Sequence, residues 1–198
     1  MDNSVSALSS CSAVKIGETI SEETLNVAVL SPVTMIRMQV SGSREVIQHY
    51  ISSASFPLAT PGQFSVKDDI KCHWITPKEW VFESSKTEPN QLIKMLDNDS
   101  SSINQMLTNI SDSRIVFKIS GESVEDYLSI GCALDFTLSG FEVGKSTISR
   151  LFSMPALLSR TKEDEFDLIV DRSFASYVED RLIDSATEFS ALAERFLS

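Results

Sequence analysis

The residues best suited to chemistry lie in the segment SGFEVGKST, Ser139 to Thr147, which ends like a phosphate-binding loop. Such a loop follows the pattern G-x-x-x-x-G-K-[ST] between a strand and a helix, and its backbone N–H groups surround a phosphate. Here Ser139 stands at the first glycine position, and Glu142 would place a carboxylate against the phosphates. Only the last part of the motif is therefore present.

The residues after this motif also argue against a nucleotide site. TISRLFSMPALL begins with β-branched residues and soon reaches Pro155, which favours a strand over the required helix. Only 52 residues follow Ser146, whereas a nucleotide-binding sheet needs several more strand–helix units of about 30 residues each. The run DLIVD, 167–171, ends in an aspartate that could hold magnesium, but it equally suits an ordinary strand. The sequence therefore argues against nucleotide binding.

Other candidate catalytic groups do not form a set. Cys72 and His73 are adjacent, as a nucleophile and its base could be, but neighbours on a strand point to opposite faces. The remaining histidine, His49, lies on a predicted helix. Neither the histidines nor the cysteines have metal-ligand spacing, and the chain has no G-x-S-x-G elbow. The sequence thus predicts no catalytic, cofactor-binding or metal site, and a binding or assembly role instead.

Composition and charge narrow the class of protein. The 198 residues are 42% hydrophobic and carry a formal charge of −11, which disfavours nucleic acid and anionic membrane surfaces as partners. No apolar run approaches the roughly 20 residues of a membrane span. The N-terminal segment lacks the features of a secretory signal. Three well-separated cysteines, Cys11, Cys72 and Cys132, indicate reduced thiols and a cytoplasmic location.

Hydrophobic periodicity predicts an α+β fold with a weak internal duplication. Residues 1–25 are serine-rich and are predicted to form a flexible arm, followed by one domain over 26–198. IRMQVSG and IVFKISG are strands that close on Ser-Gly, at Gly42 and Gly121, and each precedes a short amphipathic helix. Later strands precede a second helix in both parts. We predict two β-α-β-β-α units, near 30–105 and 112–198, joined by a polar loop at Asp97–Ser102.

The C-terminal segment predicts the longest helix. Apolar residues recur every three or four positions on one face, and acidic residues lie on the other. Asp171 or Ser173 is the predicted N-cap. The predicted apolar face contains Phe174, Val178, Leu182, Ala186, Phe189, Ala193 and Phe196, and the acidic face contains Glu179, Asp180, Asp184 and Glu188. Phe189, Leu192, Phe196 and Leu197 are candidates for apolar surface in contact with another subunit.

Several short motifs follow one another between residues 25 and 190. The clearest is SDSRIVFKISGESVEDYLSIGCALDF, 111–136, an arginine-led strand, Ser-Gly, a short helix and Gly-Cys-x-Leu-Asp. Phe141, Gly144 and Thr147 follow, then Arg-Ser-Phe-Ala before the last helix, and WITPKEW, 74–80, forms a turn between strands of the first half. In these motifs and their order, the chain resembles the γ subunit of heterotetrameric sarcosine oxidase. The matching positions, expected to be structural or interface residues, are Trp74, Trp80, Arg114, Gly121, Gly131, Cys132, Asp135, Gly144, Thr147, Arg172, Ser173 and Phe174.

The resemblance implies both a fold and a function. The fold would be that of the folate-binding domain of aminomethyltransferase. The complex would demethylate sarcosine oxidatively to glycine and transfer the one-carbon unit to tetrahydrofolate. FAD, FMN, NAD, the folate and zinc would lie in the other subunits, and this chain would hold no cofactor. Its partners would be the α, β and δ subunits, mainly α, with Trp74, Trp80 and the terminal-helix aromatics as candidate anchors.

Three alternatives to this function remain open from the sequence. The chain could be the equivalent subunit of a related N-methyl amino acid dehydrogenase, such as one acting on N-methylglutamate. It could instead be a free-standing folate-binding one-carbon enzyme on the same fold, with a carboxylate that reads the pterin. A small nucleotide hydrolase, which the motif at Lys145 would require, is the third.

Overall fold

The computed structural model describes residues 14–16, 25–30, 33–54, 56–97 and 103–197, with side chains except at 14–16, 53 and 187–197. The described residues form eleven strands and four α-helices. The strands are β1 (Val14–Ile16), β2 (Leu25–Leu30), β3 (Thr34–Ser41), β4 (Phe64–Lys67), β5 (Ile70–Thr76), β6 (Glu79–Ser84), β7 (Asn104–Asn109), β8 (Arg114–Ser120), β9 (Ser146–Leu151), β10 (Met154–Lys162) and β11 (Glu165–Asp171). The helices are α1 (Arg44–Ser53), α2 (Pro89–Leu96), α3 (Val124–Gly131) and α4 (Ala175–Leu197), and single 3-10 turns occupy Ser111–Ser113 and Arg172–Phe174.

The strands form two antiparallel sheets. The five-stranded sheet has the order β4-β5-β6-β3-β7, and the six-stranded sheet has the order β9-β10-β11-β8-β2-β1. Strands β4, β5, β6 and β3 of the first sheet correspond to β9, β10, β11 and β8 of the second. The next strand differs in origin: β3 pairs with β7, whereas β8 pairs with β2 from near the N-terminus, and β1 follows as an additional strand. Each half also has three strands between its helices, one more than the predicted β-α-β-β-α unit.

The sheets pack face to face, with the helices on the two outer sides. Helices α1 and α2 bury one core against the five-stranded sheet, which includes Ile36, Trp80 and Phe82. Helices α3 and α4 bury a larger core against the six-stranded sheet. Between the sheets lies a thin apolar layer of Met35, Val116, Leu157 and Ile169. The fold is therefore α+β with four layers, and the predicted fold class agrees with it.

Most predicted elements are present, and three described strands were missed, namely β4, β7 and the short β1, which lies within the predicted flexible arm. The helix over SREVIQHYI begins at Arg44, where the Ser43 side chain accepts a hydrogen bond from the Val46 N–H as an N-cap. Strand β4 is only four residues long, and β7 lies at a sheet edge with mostly polar residues, so neither shows strong alternation. Short edge strands depend on pairing partners that local sequence does not reveal.

The long C-terminal helix is present, but its start differs from the prediction. The described apolar face is buried at Val178, Leu182 and Ala186. Phe174 belongs to the preceding 3-10 turn and is 37% exposed. Asp171 makes no capping hydrogen bond and instead forms an ion pair with Arg114. The apolar spacing thus predicted the helix correctly, whereas Asp171 was wrongly predicted as a cap because strand β8 brings a cation beside it.

Candidate functional site

A cluster of buried polar side chains lies between the two sheets. Because the side chains of a strand alternate between faces, every second residue of β5 and β6 points at the six-stranded sheet. The cluster contains Lys71, His73 and Glu83 from the five-stranded sheet, and Ser146, Ser159 and Asp167 from the six-stranded sheet. His73 and Asp167 have no exposed surface. Cys72, on the opposite face of β5, belongs to the helix-covered core, so the thiol and the imidazole do not meet, as predicted.

Lys71 joins the two sheets electrostatically. Its Nζ lies 2.8 Å from Glu83 Oε1 and also contacts Asp167 across the layer. Burial raises the pKa of Glu83, but His73 and Lys71 outweigh that effect and hold it at about 2. Burial lowers the pKa of Lys71, but the two carboxylates more than compensate and leave it above its usual value. Lys71 and Glu83 are therefore charged at neutral pH, and the contacts of Lys71 with Glu83 and Asp167 hold the two sheets in one register.

His73 completes the cluster through hydroxyl groups. Its Nδ1 lies 3.2 Å from Ser159 Oγ and 3.3 Å from Ser146 Oγ, and Ser159 donates to Ser146 at 2.9 Å. Its Nε2 lies 3.7 Å from Glu83 Oε2, which is too long for a hydrogen bond but close enough for electrostatic attraction. A general base must reach the proton it abstracts, and this imidazole is sealed between sheets. The arrangement favours a structural role for the cluster.

Two cavities open at the margins of the inter-sheet layer. One, of about 540 Å³, is lined by apolar residues of β2 and β8 together with Lys71, Glu83 and Lys118. Lys118 is paired with Glu165 at 2.9 Å. The other, of about 280 Å³, is lined mostly by apolar residues, and its charged residues form two pairs, Arg37 with Glu79 and Arg114 with Asp171. Asp69, which also lines the first cavity, accepts hydrogen bonds from Ser84 and Thr87. The charged residues that line both cavities thus have partners within the protein.

The residues that resemble a phosphate loop join the two sheets instead. Gly144 has a φ of +94°. Its N–H donates a hydrogen bond to Arg160 O in the six-stranded sheet, and its carbonyl oxygen accepts one from the Phe64 N–H in the five-stranded sheet. Lys145 forms an isolated antiparallel bridge with Gln63 and donates from Nζ to Gly140 O at 3.2 Å. Strand β9 follows, rather than a helix. The segment is therefore a link between the sheets.

Arg160, like Lys71, Glu83 and Ser159 of the cluster, was missed by the sequence analysis. Although it is a charged residue, it is only 1% exposed. Its Nη1 donates to the carbonyl oxygens of Phe136 at 2.7 Å and Phe141 at 3.1 Å. Its Nη2 pairs with Glu125, and the guanidinium lies 5.0 Å from the centre of the Phe166 ring. Arg160 thus fixes the long loop between α3 and β9. The sequence signal was an arginine close after the apolar residues Ala156, Leu157 and Leu158 of a predicted strand.

The Gly-Cys-x-Leu-Asp motif shapes the start of that loop. A Cβ on Gly131 would lie 2.4 Å from the Phe152 ring, so glycine allows this ring to pack against the end of α3. Cys132 is buried, with its Sγ 3.5 Å from Ser149 Oγ. Asp135 accepts from the Thr137 N–H at 3.0 Å and from its hydroxyl, and these bonds lower its pKa. The motif therefore builds a turn.

The other motif positions of the second half lie in the six-stranded sheet and at its margins. Gly121 has a φ of +141° and donates to Asp164 O at the end of β8. Thr147 faces the helix side of β9, opposite Leu158 of β10. Arg172 donates from Nε to Asp112 O at 2.6 Å, which ties the turn before α4 to the turn before β8. Ser173 and Phe174, in the same turn, are exposed.

Both tryptophans line one groove on the outer side of the five-stranded sheet. Trp80 is 1% exposed and donates from Nε1 to Ala59 O at 3.0 Å, whereas Trp74 is half-buried. The groove has a volume of about 560 Å³. It is lined by Arg44, Ile47, Gln48, Ile51, Ala59, Thr60, Pro61, Trp74, Pro77, Lys78 and Trp80. We call it the tryptophan groove.

Several predicted positions lie outside the described residues or side chains. The N-terminal arm is described only at β1 and from Leu25 onwards, Cys11 is not described, and the loop at 97–102 is described only at Asp97. The side chains of Glu188, Phe189, Leu192, Ala193, Phe196 and Leu197 are also not described. In the described ranges, no three His, Cys, Asp or Glu side chains are placed to hold a metal ion. None of the described helices has the length and apolar composition that crossing a bilayer requires.

Comparison of the fold with solved structures gives two informative similarities. A chain of the heterotetrameric sarcosine oxidase from Corynebacterium sp. U-96, solved in complex with pyrrole 2-carboxylate, superimposes with a TM-score of 0.73 at 19% identity. The match covers 86% of this chain and 88% of that one. The glycine cleavage system aminomethyltransferase T from Bartonella henselae matches with a TM-score of 0.53 at 14% identity, over 81% of this chain and 46% of that one. The predicted fold is confirmed.

Comparison of the sequence identifies the family. No curated protein matches the chain in sequence. A family model, described as sarcosine oxidase, gamma subunit family, matches residues 47–188. This segment contains both tryptophans, the inter-sheet cluster and every motif position named above. Because the match covers well over half of the chain, the protein belongs to the sarcosine oxidase gamma subunit family.

Proposed function

We propose that this chain is the non-catalytic γ subunit of a heterotetrameric sarcosine oxidase, which demethylates sarcosine oxidatively to glycine and passes the one-carbon unit to tetrahydrofolate. The observation that carries the proposal is the family match over residues 47–188. The similarity of fold to a chain of such a heterotetramer, over 86% of this chain, supports it. The chain acts by supporting chemistry that other subunits perform.

The contacts within the chain support a scaffold role. Lys71 pairs with Glu83 and Asp167 inside the protein, so none of these three side chains presents its polar group to a partner. Arg160 donates its hydrogen bonds to carbonyl oxygens and to Glu125 of the same chain. A catalytic group must instead present an atom to the substrate. The buried charged side chains of this protein thus stabilise the fold by contacts with other groups of the same chain.

The cofactors of the complex belong, in this proposal, to the other subunits. FAD, FMN, NAD, tetrahydrofolate and zinc bind outside this chain, which contacts mainly the α subunit within a cytoplasmic complex. Cys72 and Cys132 are buried thiols, and burial raises the pKa of Cys72 to about 12. Neither is suited to be a reactive thiolate. The purified chain is therefore expected to be colourless and to lack flavin absorbance.

Co-expression tests the proposal directly. The chain is produced with candidate α, β and δ subunits, with a tag on this chain only, and the product is separated by size exclusion. We expect a stable complex that absorbs as a flavoprotein and oxidises sarcosine, and the same large subunits without this chain serve as the control. Failure of this chain to co-elute with any of the large subunits contradicts the proposal.

A free-standing folate-binding enzyme is the second candidate, favoured by the similarity to aminomethyltransferase over 81% of this chain. It predicts that the isolated chain binds tetrahydrofolate. Titration calorimetry on the purified chain separates the two functions. Micromolar binding supports the folate enzyme and contradicts the scaffold role, whereas heats equal to those of dilution support the scaffold.

A further inference from the structure

The tryptophan groove has a counterpart in the second half of the chain. The β5–β6 and β10–β11 hairpins share one register: Trp74 lies opposite Trp80, and Arg160 lies opposite Phe166. Each hairpin has an irregularity directly after the first residue of that pair. Trp74 therefore corresponds to Arg160, and Trp80 corresponds to Phe166.

In the second half, the chain covers this position with its own aromatic residues. The rings of Phe136 and Phe141 lie 5.6 and 6.0 Å from the Phe166 ring, centre to centre. Both residues belong to the loop 132–145, and their carbonyl oxygens accept from Arg160. Phe136, Phe141 and Phe166 are each at most 5% exposed. This surface thus binds an apolar segment, which here comes from the same chain.

In the first half, the covering segment is shorter; its Phe56 packs against Phe82, but no ring stands at the position of Phe141. The loop 54–63 is four residues shorter than the loop 132–145. Gly62 and Gly144, with φ of +75° and +94°, each precede the strand that follows the loop. Counted back from these glycines, Ala59 stands where the second half has Phe141. A methyl group replaces an aromatic ring over the tryptophans, and the groove of about 560 Å³ results.

The charge around the groove indicates what kind of segment fits it. Arg44 and Lys78 are its only charged lining residues, both are basic, and neither forms an ion pair with another described residue. Such a basic site is unexpected on a chain with a net charge of −11. A second copy of the chain also carries a net charge of −11. Repulsion between the net charges of the two copies opposes self-association. Charge and shape together favour a different protein, with an apolar segment flanked by acidic residues.

We propose that the tryptophan groove is the docking site for an apolar segment, flanked by acidic residues, of the large subunit with which this chain assembles. The inference rests on the proposed function and adds to it the surface and the partner chemistry. Trp74 forms the floor, and Ile51 and Pro77 form apolar walls. Arg44 and Lys78 pair with the acidic flanks. Tryptophan and arginine are the residues most enriched among those that dominate binding energy at protein interfaces.

The chain contains only two tryptophans, so fluorine labelling reports on the groove alone. The chain is labelled with 5-fluorotryptophan, the Trp74 resonance is assigned with a Trp74→Phe variant, and unlabelled large subunit is added. We expect the Trp74 resonance to shift or broaden, and the buried Trp80 resonance to change less. An unchanged Trp74 resonance in a complex that forms overturns the inference.

Matched variants measure the contribution of the groove to affinity. Ile51 and Ile130 lie in the last turns of α1 and α3 and are 36% and 47% exposed. We expect Ile51→Asp to weaken binding of the large subunit at least about tenfold, as burial of an unpaired charge at an interface centre does. The control Ile130→Asp is expected to bind like the wild type. Lys78→Glu is expected to weaken binding about threefold or more, with a smaller salt dependence.

The outcomes separate this inference from the proposed function. If the wild type fails to co-elute with the large subunit, the proposed function is overturned, and the inference with it. If the wild type co-elutes and Ile51→Asp binds as tightly as Ile130→Asp, only the inference is overturned. The inference is also overturned if removal of residues 1–13 shifts the Trp74 resonance of the free chain, since the groove is then occupied by this chain's own N-terminal arm. A shift of this resonance on dilution of the free chain overturns it as well, since the groove is then occupied by a second copy.

Discussion

The two halves of this protein share a strand order but close their outer surfaces differently. In the second half, Arg160 holds the loop 132–145 against the sheet, and Phe136 and Phe141 cover Phe166. In the first half, Trp80 is buried under Ala59, and a groove with two basic lining residues remains beside it at the half-buried Trp74. The difference teaches that one architecture can use the same surface for stability in one copy and for binding in the other.

The inter-sheet faces of the halves differ as well. By the shared hairpin register, Lys71 and Glu83 of the first half correspond to Leu157 and Ile169 of the second. At these two pairs of positions the first half is charged and the second is apolar, whereas the charged residues that the second half contributes are Asp167 and, at the margins, Lys118, Arg114 and Asp171. Opposed faces of unlike chemistry cannot slide past one another without burying an unpaired charge. The asymmetry therefore fixes how the sheets stack.

The largest expected effect comes from removal of the arginine that closes the second half. Arg160→Met leaves Glu125 and four carbonyl oxygens without their donor, and we expect the free energy of unfolding to fall by about 3–5 kcal/mol. Trp74→Ala, at the corresponding position of the first half, is expected to cost about 1–2 kcal/mol because Trp74 is only half-buried. Urea unfolding of both variants measures the contrast. Equal losses would contradict the distinction between a closed and an open half.

The pH dependence of stability tests the charged face of the first half. The pKa of Glu83 is about 2 in the folded protein and near 4.5 in a free side chain. A lowered pKa means that Glu83 stabilises the fold above pH 4.5 and that this contribution is lost as pH falls towards 2. Its size at neutral pH is about 3 kcal/mol at most, from the shift between these two values.

Glu83→Gln is expected to remove this acid-dependent contribution. The difference in unfolding free energy between wild type and variant should shrink as pH falls from 5 to about 2. The exposed Glu142→Gln serves as the control and should give a small difference at every pH. A difference for Glu83→Gln that stays constant over this pH range would show that its charge does not stabilise the fold.

A smaller effect is expected at the glycines that end β3 and β8. Gly121 has a φ of +141°, so Gly121→Ala is expected to cost about 1–3 kcal/mol through backbone strain. Gly42, at the corresponding place, is not in the positive-φ region, and an added Cβ would lie 3.3 Å from Val46. Gly42→Ala is therefore expected to change stability by about 0.5 kcal/mol or less. Thermal unfolding of both variants measures the difference, and a larger loss at Gly42 would be the contrary result.

The smallest effect is expected at the bridge between the halves. Lys145 of the second half and Gln63 of the first half are partners in this bridge. The substitution Lys145→Gln places the same residue type on both sides. Because Lys145 is only part-buried and bonds to one carbonyl oxygen, we expect a change of about 0.5 kcal/mol or less. Magnesium-ATP should shift the melting temperature of neither protein. A shift lost in the variant would restore the phosphate-loop interpretation.

Local sequence was sufficient for most elements because their signals are local. Alternation predicted β8, and three- and four-residue spacing predicted α1 and α4. The short edge strands β4 and β7 were missed, since what makes them strands is a neighbour far away in sequence. Arg160 was missed for the same reason: its partners lie in α3 and in the loop that follows.

The sequence by itself determined the family, the helices and most strands, and the absence of a complete nucleotide motif, since each depends on residue types and spacing along the chain. The tertiary structure decided which polar residues meet. Lys71 reaches Asp167, and His73 reaches Ser146 and Ser159, only because the two sheets stack face to face. The open groove over Trp74 and Trp80 was likewise invisible in the sequence. The groove exists because the loop 54–63 is shorter than the loop 132–145. This difference in length leaves a groove because the two loops lie against equivalent hairpins, which the folded structure alone reveals.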